Sequence, residues 1–266
     1  MSLKLGFIGC GNMGKAMLSG VLESGKCAKA DVLASAKTEA TREKIKSQFD
    51  IKVTADNKEV AEFADVLFLA VKPQYYAEVI DQIKDVVRDD TIVISIAPGK
   101  SLEWFDQAFG KQLKVIRTMP NTPALVGEAM TAICVNKNVT KDELNIITSI
   151  FNSFGKSEIL EEKYFHAFTA LCGSSPAYVY MFIEAMADAA VKQGLPRDKA
   201  YKMASQAVLG SAKMVLETKE NPGKLKDNVC SPGGTTIEAV IELERQGFRN
   251  AVISAIEKCE EKSRNM

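Results

Sequence analysis

A glycine-rich turn near the start of the chain places the strongest constraint on its fold. The segment "GFIGCGNMG" has the spacing Gly9-x-Gly11-x-x-Gly14, between the apolar stretch "KLGFI" and a stretch with helical periodicity. In a strand–turn–helix unit, the first glycine makes the tight turn, the second admits a pyrophosphate and the third lets helix and strand pack closely. The motif predicts dinucleotide binding; the alternative is a glycine-rich turn without a ligand. The residues expected to form this phosphate loop are Ile8, Gly9, Cys10, Gly11, Asn12, Met13 and Gly14.

Strand and helix patterns alternate through roughly the first 160 residues. The runs "DVLFLAV" and "TIVISIA" are apolar without alternation, which is typical of strands covered on both faces. Segments with helical spacing, such as "TEATREKIKSQF" and "YYAEVIDQIKDVV", stand between such runs. Strands that alternate with helices indicate a parallel sheet with right-handed crossovers. We expect an α/β Rossmann-type domain that binds NAD(P) over residues 1–161.

The character of the sequence changes after about Glu161, and no convincing strand follows. The segment "SPAYVYMFIEAMADAAVKQ" is apolar on almost every side and ends at Gly194 and Pro196, as a helix does. Three further helical segments follow it. We expect an all-helical domain for dimerisation and substrate binding over residues 162–266. Because the first of these helices is apolar all round, we expect a second subunit to help bury it.

Composition excludes several classes of partner. Lys plus Arg and Asp plus Glu both number 34, so the formal net charge is zero and nothing indicates nucleic-acid binding. The longest apolar runs are too short to cross a bilayer, and the chain begins without a leader pattern. The six cysteines form no C-x-x-C pair, and no cluster has metal-ligand spacing. We expect a cytoplasmic protein with reduced thiols and with no membrane, nucleic acid or metal partner.

The end of the second predicted strand bears on the choice of cofactor. A site that prefers NAD has an Asp or Glu there to bind the ribose hydroxyls. This chain has "VLASAKTEATR", with Ser35 at the end of the strand and Lys37 close behind. A hydroxyl and a cation without a carboxylate accommodate a 2′-phosphate, although a surface lysine is also common. We expect NADP as the cofactor, with NAD as the alternative.

Three further segments are expected to contact the cofactor. The segment "AVKPQ" ends a strand at the carboxyl edge of the sheet, where cofactors lie in open α/β folds. The segment "TMPNTPAL" ends a later strand at the same edge, and Asn57 precedes the helical stretch "KEVAEF". Asn57 is expected near the adenosine and the first segment near the nicotinamide. The residues predicted from these segments are Asn57, Ala70, Val71, Lys72, Pro73 and Asn121.

Acid–base groups are scarce in this chain. It has one histidine, His166, which we interpret as structural, and no conspicuous proton donor. An imine substrate fits this scarcity, because a protonated imine is already an electrophile and its reduction needs little further acid catalysis.

A second distinctive turn, "VCSPGGTTIEAV", runs into a helical pattern near the end of the chain. A helix N-terminus exposes unpaired N–H groups and the positive end of the dipole, and two glycines let a small anion approach the backbone. The alternative is an ordinary helix cap, with Thr235 or Thr236 bonded to its own helix.

Five segments together resemble the pyrroline-5-carboxylate reductase family: "GFIGCGNMG", "FLAVKPQ", "RTMPNTPALV", "GSSPAYVYMFIEAMADAAV" and "LKDNVCSPGGTTIEAV". The resemblance implies reduction of Δ1-pyrroline-5-carboxylate to L-proline with NAD(P)H, the last step of proline synthesis. It also implies interleaved helical domains in a homodimer, often assembled into a decamer. Carried over from the family, the groups around the substrate carboxylate are Ser231, Gly233, Gly234 and Thr235. Thr236 is the expected catalytic residue, with its hydroxyl at the ring nitrogen.

Other functions stay open at this stage. A related imine reductase or a β-hydroxyacid dehydrogenase shares the scaffold, but the latter relies on a helical lysine four residues before an asparagine, and the helix from Pro176 has no such pair. A non-catalytic dinucleotide-binding protein would need no intact substrate turn. Glu184, in the middle of the apolar helix, is expected to be a buried structural acid or to orient that turn.

Overall fold

The computed structural model describes residues 3–265 and divides them into two compact units. The first unit runs to Gly173 and includes the last residues from Lys262, and the second spans Ser174–Glu261. The two units are distinguished by which residues pack together, so their boundary need not coincide with the point after which the chain is all helical. The domain boundary predicted at residues 161 and 162 therefore stays a prediction.

The first unit contains, within the described residues, an eight-stranded sheet in the order β3-β2-β1-β4-β5-β6-β7-β8. The chain builds outward from β1 to β3, and then crosses back to place β4 on the other side of β1. This reversal makes a topological switch point between β1 and β4, where open α/β sheets bind ligands. The strands are β1 (Leu5–Ile8), β2 (Val32–Ser35), β3 (Lys52–Thr54), β4 (Val66–Leu69), β5 (Ile92–Ser95), β6 (Lys114–Met119), β7 (Ala129–Val135) and β8 (Gly155–Ile159).

Helices connect these strands and cover the sheet. They are α1 (Asn12–Glu23), α2 (Glu39–Phe49), α3 (Asn57–Phe63), α4 (Tyr76–Ile83), α5 (Leu102–Phe109), α6 (Lys141–Phe151) and the short α7 (Phe165–Phe168). The predicted strand and helix segments are confirmed, but β3, β7, β8, α6 and the short α7 were not predicted. Two of these strands carry little apolar signal, since β3 has three residues and β8 reads "GKSEI".

The predicted parallel sheet is confirmed, with one antiparallel pair of strands that was not predicted. β7 pairs antiparallel with β6, with Ile116 opposite Val135 and Met119 opposite Ala132. The connection between these strands covers only residues 120–128 and holds no α-helix. A parallel neighbour needs a crossover of about a dozen residues or more, so the chain can only turn back. β8 then pairs parallel with β7 after the crossover through α6.

The central strands are buried along their whole length, as their apolar runs predict. Every residue of β1, β2, β4 and β5 is buried. Phe7 and Phe68 stack with ring centroids 4.5 Å apart and planes 3° apart, and Phe151 tilts against Phe68 at 6.3 Å. These three rings join β1, β4 and α6 in one core and thereby hold the two strands of the switch point together.

The second unit is helical throughout, and the prediction that no strand follows residue 161 is confirmed for the described residues. Its helices are α8 (Ser175–Lys192), α9 (Arg197–Thr218), α10 (Pro222–Val229), α11 (Thr235–Arg245) and all but the last turn of α12 (Phe248–Arg264), of which α10 was not predicted. Small side chains make the contact between α8 and α9, because Ala187, Ala200 and Ala204 are buried.

Within one chain, α8 is not buried on all sides. Tyr180 and Met181 are 60% and 69% exposed, and Val179 and Phe182 are exposed as well. Glu184 is also exposed, so the expectation of a buried acid is wrong for the single chain. Because the four apolar residues are consecutive in the helix, they point to several sides of α8, and the described part of the chain leaves much of this apolar surface uncovered.

Residues 3–265 contain neither a membrane-spanning helix nor a cluster of metal-ligating side chains. None of the helices there is long and apolar enough to cross a membrane. No group of three or more His, Cys, Asp or Glu side chains there is arranged to hold a metal ion.

The stacked rings at the switch point give a stability prediction. Phe68→Ala removes a fully buried ring from the contact between Phe7 and Phe151, and we expect it to lower the free energy of unfolding by about 3–5 kcal/mol. Phe63→Ala is the control, since the Phe63 ring is only partly buried, and its loss should cost clearly less. Denaturant unfolding of both variants checks this, and equal losses would contradict the central role of the stack.

Candidate active site

A cavity of about 440 Å³ lies at the carboxyl edge of the sheet, over the switch point. It brings together most of the residues predicted for the cofactor, and those that line it are Gly9, Cys10, Gly11, Ser35, Lys37, Asn57, Ala70, Val71 and Lys72. Ile8, Asn12, Met13, Gly14 and Pro73 adjoin these residues in the chain without lining the cavity. Their contacts with a cofactor, and that of Asn121, stay predictions.

The phosphate loop has the geometry that a pyrophosphate needs. Gly9 has φ +85°, and a Cβ there would lie 2.9 Å from the carbonyl carbon of Ala70, so only glycine fits. Gly11 is the N-cap of α1, makes no side-chain cap bond and has open space where a Cβ would stand. The first turn of α1 contains no acidic residue. Free N–H groups, a positive helix end and room above the backbone therefore fit an anionic diphosphate.

The cysteine in this loop adds no negative charge. Burial raises the pKa of the Cys10 thiol to about 12, although the nearby charge of Lys15 lowers it. The thiol is therefore protonated at neutral pH, and it faces the cavity as a small neutral group.

Hydrogen bonds organise the end of the cavity beside β2. The Ser35 hydroxyl donates to Oδ1 of Asn57 at 2.7 Å, and Nδ2 of Asn57 donates to Oε1 of Gln82 at 2.7 Å. Arg42 donates to the carbonyl oxygens of Ala36 and Lys37, which holds the loop after β2 in place. The Ser35 hydroxyl thus already has a partner, and the exposed Lys37 is the free cation of that loop.

One wall of the cavity was not predicted from the sequence. Tyr75, Glu78, Val79 and Gln82 line it from α4 and the residue before it. Their spacing of three, one and three residues marks a single helix face, directly after the segment "AVKPQ". This periodicity was the available signal. Three further lining residues were also not predicted: Ala36 and Ala55 from loops, and Thr41 from the first turn of α2.

Asn121 and His166 have partners within the first unit. The Asn121 side chain donates to the carbonyl oxygen of Cys172 at 3.0 Å and accepts from the N–H of Met130 at 2.9 Å. Asn121 thereby ties the loop after β6 to other parts of this unit. Nδ1 of His166 lies 3.0 Å from the Ser263 hydroxyl, a contact that suits the structural role expected for this histidine.

The second distinctive turn lies in the second unit and leads into α11. The N-cap of α11 is Gly234, which makes no side-chain cap bond, so the alternative of a helix capped by Thr235 or Thr236 is wrong. Gly233 has φ +66°, whereas Gly234 has φ −81° and donates its N–H to the Ser231 carbonyl at 3.0 Å. A Cβ at Gly234 would collide with Oγ of Ser231.

The geometry of this turn leaves polar groups available to a ligand. Ser231 and Thr235 are exposed and Thr236 is half-buried at the start of the helix. Both threonines lie in the first turn of α11, where N–H groups lack partners within the helix. Glu238 lies in the same turn and is exposed.

Comparisons with known families and relatives agree with each other. Residues 162–266 match the family model described as pyrroline-5-carboxylate reductase dimerisation, and residues 4–99 match the one described as NADP oxidoreductase, coenzyme F420-dependent. The pyrroline-5-carboxylate reductase of Escherichia coli is 50% identical over 266 residues, which is 100% of this chain and 99% of that protein.

Solved structures extend the comparison to three dimensions. The Plasmodium falciparum pyrroline carboxylate reductase, solved with NADP bound, is 34% identical, with a TM-score of 0.88 over 98% of this chain and 97% of that one. The Coxiella burnetii pyrroline-5-carboxylate reductase is 32% identical, with a TM-score of 0.93 over 100% and 98% of the two chains. Sequence identity and fold agree over the full length, and this chain belongs to the pyrroline-5-carboxylate reductase family.

Proposed function

We propose that this protein reduces Δ1-pyrroline-5-carboxylate to L-proline, with NADPH as the preferred reductant. The observation that carries the proposal is full-length membership of the reductase family together with a cavity built for a dinucleotide. Few acid–base groups are needed, because the protonated imine is already electrophilic.

The residues of the first unit have distinct tasks toward the dinucleotide. The turn at Gly9 and Gly11 and the first turn of α1 would bind the pyrophosphate through N–H groups and the helix dipole. Lys37 would bind the 2′-phosphate, and Ser35 would act by holding Asn57 rather than by direct contact. Bound here, the dihydronicotinamide supplies the hydride that reduces the imine carbon.

The turn in the second unit would bind the substrate carboxylate. Gly233 and Gly234 remove side chains from its path, and the exposed Ser231 and Thr235 offer hydroxyl donors. The Thr236 hydroxyl makes no bond that caps its own helix, so it is available to the ring nitrogen. These five roles come from the family resemblance, and the free hydroxyl supports the one assigned to Thr236.

Self-association follows from the dimerisation region and from the apolar surface of α8. Val179, Tyr180, Met181 and Phe182 are all exposed within about one turn of α8, so a single chain leaves several large apolar side chains in contact with water. We propose a two-fold homodimer that covers this surface. The decamer and the cytoplasmic location stay predictions.

The central test compares substrates. Purified protein should oxidise NADPH rapidly with pyrroline-5-carboxylate and yield proline. It should show no comparable reaction with a 3-hydroxy acid and NADP⁺, which a β-hydroxyacid dehydrogenase would oxidise. Cofactor binding without turnover of either substrate would refute the proposal in favour of a dinucleotide-binding protein.

The cofactor preference is tested at Lys37. Lys37→Ala removes the cation from the loop after β2, and we expect NADPH affinity to fall by about five- to thirtyfold while NADH affinity hardly changes. Lys44→Ala, which removes an exposed lysine of α2 outside the cavity, is the matched control. Calorimetric titration with both cofactors decides the matter, and an equal loss for both would exclude a 2′-phosphate contact.

The role of Thr236 is tested by removing its hydroxyl. Thr236→Ala takes away one hydrogen bond to a group that carries charge, worth about 1.5–3 kcal/mol, so kcat/KM should fall roughly ten- to 150-fold. NADPH affinity should not change. Thr218→Ala, which removes a hydroxyl bonded to the Met214 carbonyl in α9, should leave the kinetics intact. Near-normal kinetics in Thr236→Ala would remove the catalytic role.

The dimer is tested at Met181, because Ala187 is buried against α9 within one chain and a charge there would disturb the fold itself. Met181→Glu places a charge in the exposed apolar surface, and desolvating it should shift the protein toward monomer. Ile146→Glu, at an exposed apolar residue of α6, is the control and should leave assembly unchanged. Sedimentation at assay concentration measures the monomer and dimer content of both variants. A Met181→Glu dimer as stable as that of the wild type would show that α8 lies outside the interface.

A further inference from the structure

A tyrosine hydroxyl lies between the carboxyl ends of β4 and β5. Tyr76, the first residue of α4, is completely buried. Its hydroxyl donates to the carbonyl oxygen of Leu69, the last residue of β4. It accepts from the N–H of Ile96, just after β5, at 3.3 Å, and Oγ of Ser95 lies 3.4 Å away. One side-chain oxygen therefore bonds to the backbone of both strands.

The strand register shows what this hydroxyl replaces. In a parallel pair, a carbonyl accepts from the N–H of the residue that follows its partner. This ladder begins with the Ile92 N–H donating to Asp65 at 2.9 Å, and Leu69 is paired with Ser95. If the ladder continued, the Leu69 carbonyl would accept from Ile96. The tyrosine hydroxyl stands in the place of that bond and holds the two strand ends apart by its own width.

The strand end held in this way leads directly into a wall of the cofactor cavity. Ala70, Val71 and Lys72 follow Leu69 and line the cavity. On the other side of β4, the Ala70 N–H donates to the Ile8 carbonyl of β1 at 2.8 Å. The wall is thus anchored to β1 by a ladder bond, while the tyrosine joins the Leu69 carbonyl, directly before the wall, to the Ile96 N–H after β5.

We propose that Tyr76 is a positioning residue for NADPH, whose hydroxyl sets the place of Ala70–Lys72 by bridging β4 and β5. The inference rests on the proposed function, since it assumes that NADPH occupies this cavity. Tyr76 does not line the cavity and acts only through the backbone that it holds.

The surroundings of Tyr76 keep its hydroxyl protonated and its ring fixed in place. Burial raises the pKa of Tyr76 to about 12, so the hydroxyl keeps its proton and donates at every pH at which the protein works. The ring packs edge-on against Trp104 and Phe105, with centroids 6.5 and 5.9 Å away. Phenylalanine would keep this packing, so Tyr76→Phe removes the bridge and little else.

The test measures NADPH binding directly, by calorimetric titration of the intact protein, beside steady-state kinetics. Tyr76→Phe should raise the Kd and the KM for NADPH roughly three- to tenfold, while the KM for pyrroline-5-carboxylate changes less than about twofold. Ser95→Ala, which alters the same network with a smaller change, should move the same parameters in the same direction.

The matched control is Thr91→Val. Thr91 is completely buried at the opposite edge of the same sheet, and its hydroxyl donates to the Ala64 carbonyl at 3.2 Å. Its loss should lower the melting temperature without changing NADPH affinity.

If Tyr76→Phe and Ser95→Ala bind NADPH as tightly as Thr91→Val and the wild type, the positioning role is refuted. If Tyr76→Phe does not fold, Ser95→Ala decides by the same criterion. Wild-type protein that neither binds NADPH nor reduces the substrate would instead refute the proposed function itself, and the inference with it.

Discussion

The burial of β1 and β4 on both faces of the sheet is the constraint on which the rest of the first unit depends. Phe7 and Phe68 are register partners in these strands, and their rings stack on one face of the sheet, so removing either ring would open a cavity in the core. Because the two strands are held side by side, their carboxyl ends also stay side by side. The loops that follow them, Gly9–Gly11 and Ala70–Lys72, therefore face each other across the switch point and enclose the cavity.

The cavity suits an anion partly because acidic groups are absent from the phosphate loop and from the end of β2. The end of β2 carries no carboxylate, the first turn of α1 carries no acid, and the Cys10 thiol stays protonated. An anion at the phosphate loop therefore meets the positive end of a helix with no nearby negative charge on that loop. Lys37 and Lys72 add cations at the lining, and Glu78 is the one acid among the lining residues. This balance explains how a chain of zero net charge can offer a site for a highly charged dinucleotide.

In the second unit, small side chains allow close helix packing while larger apolar side chains stay exposed. Alanines at the contact of α8 and α9 allow close packing, and larger apolar side chains point away from the chain that carries them. A helix with so much exposed apolar surface is more stable in water when another surface covers it, which agrees with the match of residues 162–266 to a dimerisation family. The turn before α11 combines a positive φ at Gly233 with a close approach at Gly234, so its two glycines are needed for different reasons.

The sequence by itself determined the strand–turn–helix at Gly9, the buried strands, the helical second half and the family. Each of these depends on local periodicity or on a short motif. It did not reveal that Ser35 donates to Asn57, that α4 walls the cavity, that Tyr76 bridges β4 and β5, or that β7 runs antiparallel to β6. The same holds for the Thr236 hydroxyl, which local rules allowed to cap its helix and which the structure leaves free of that bond. These features depend on register and on which polar groups meet across the sheet, because a hydrogen bond between residues about twenty apart is decided only when the strands that carry them are already paired.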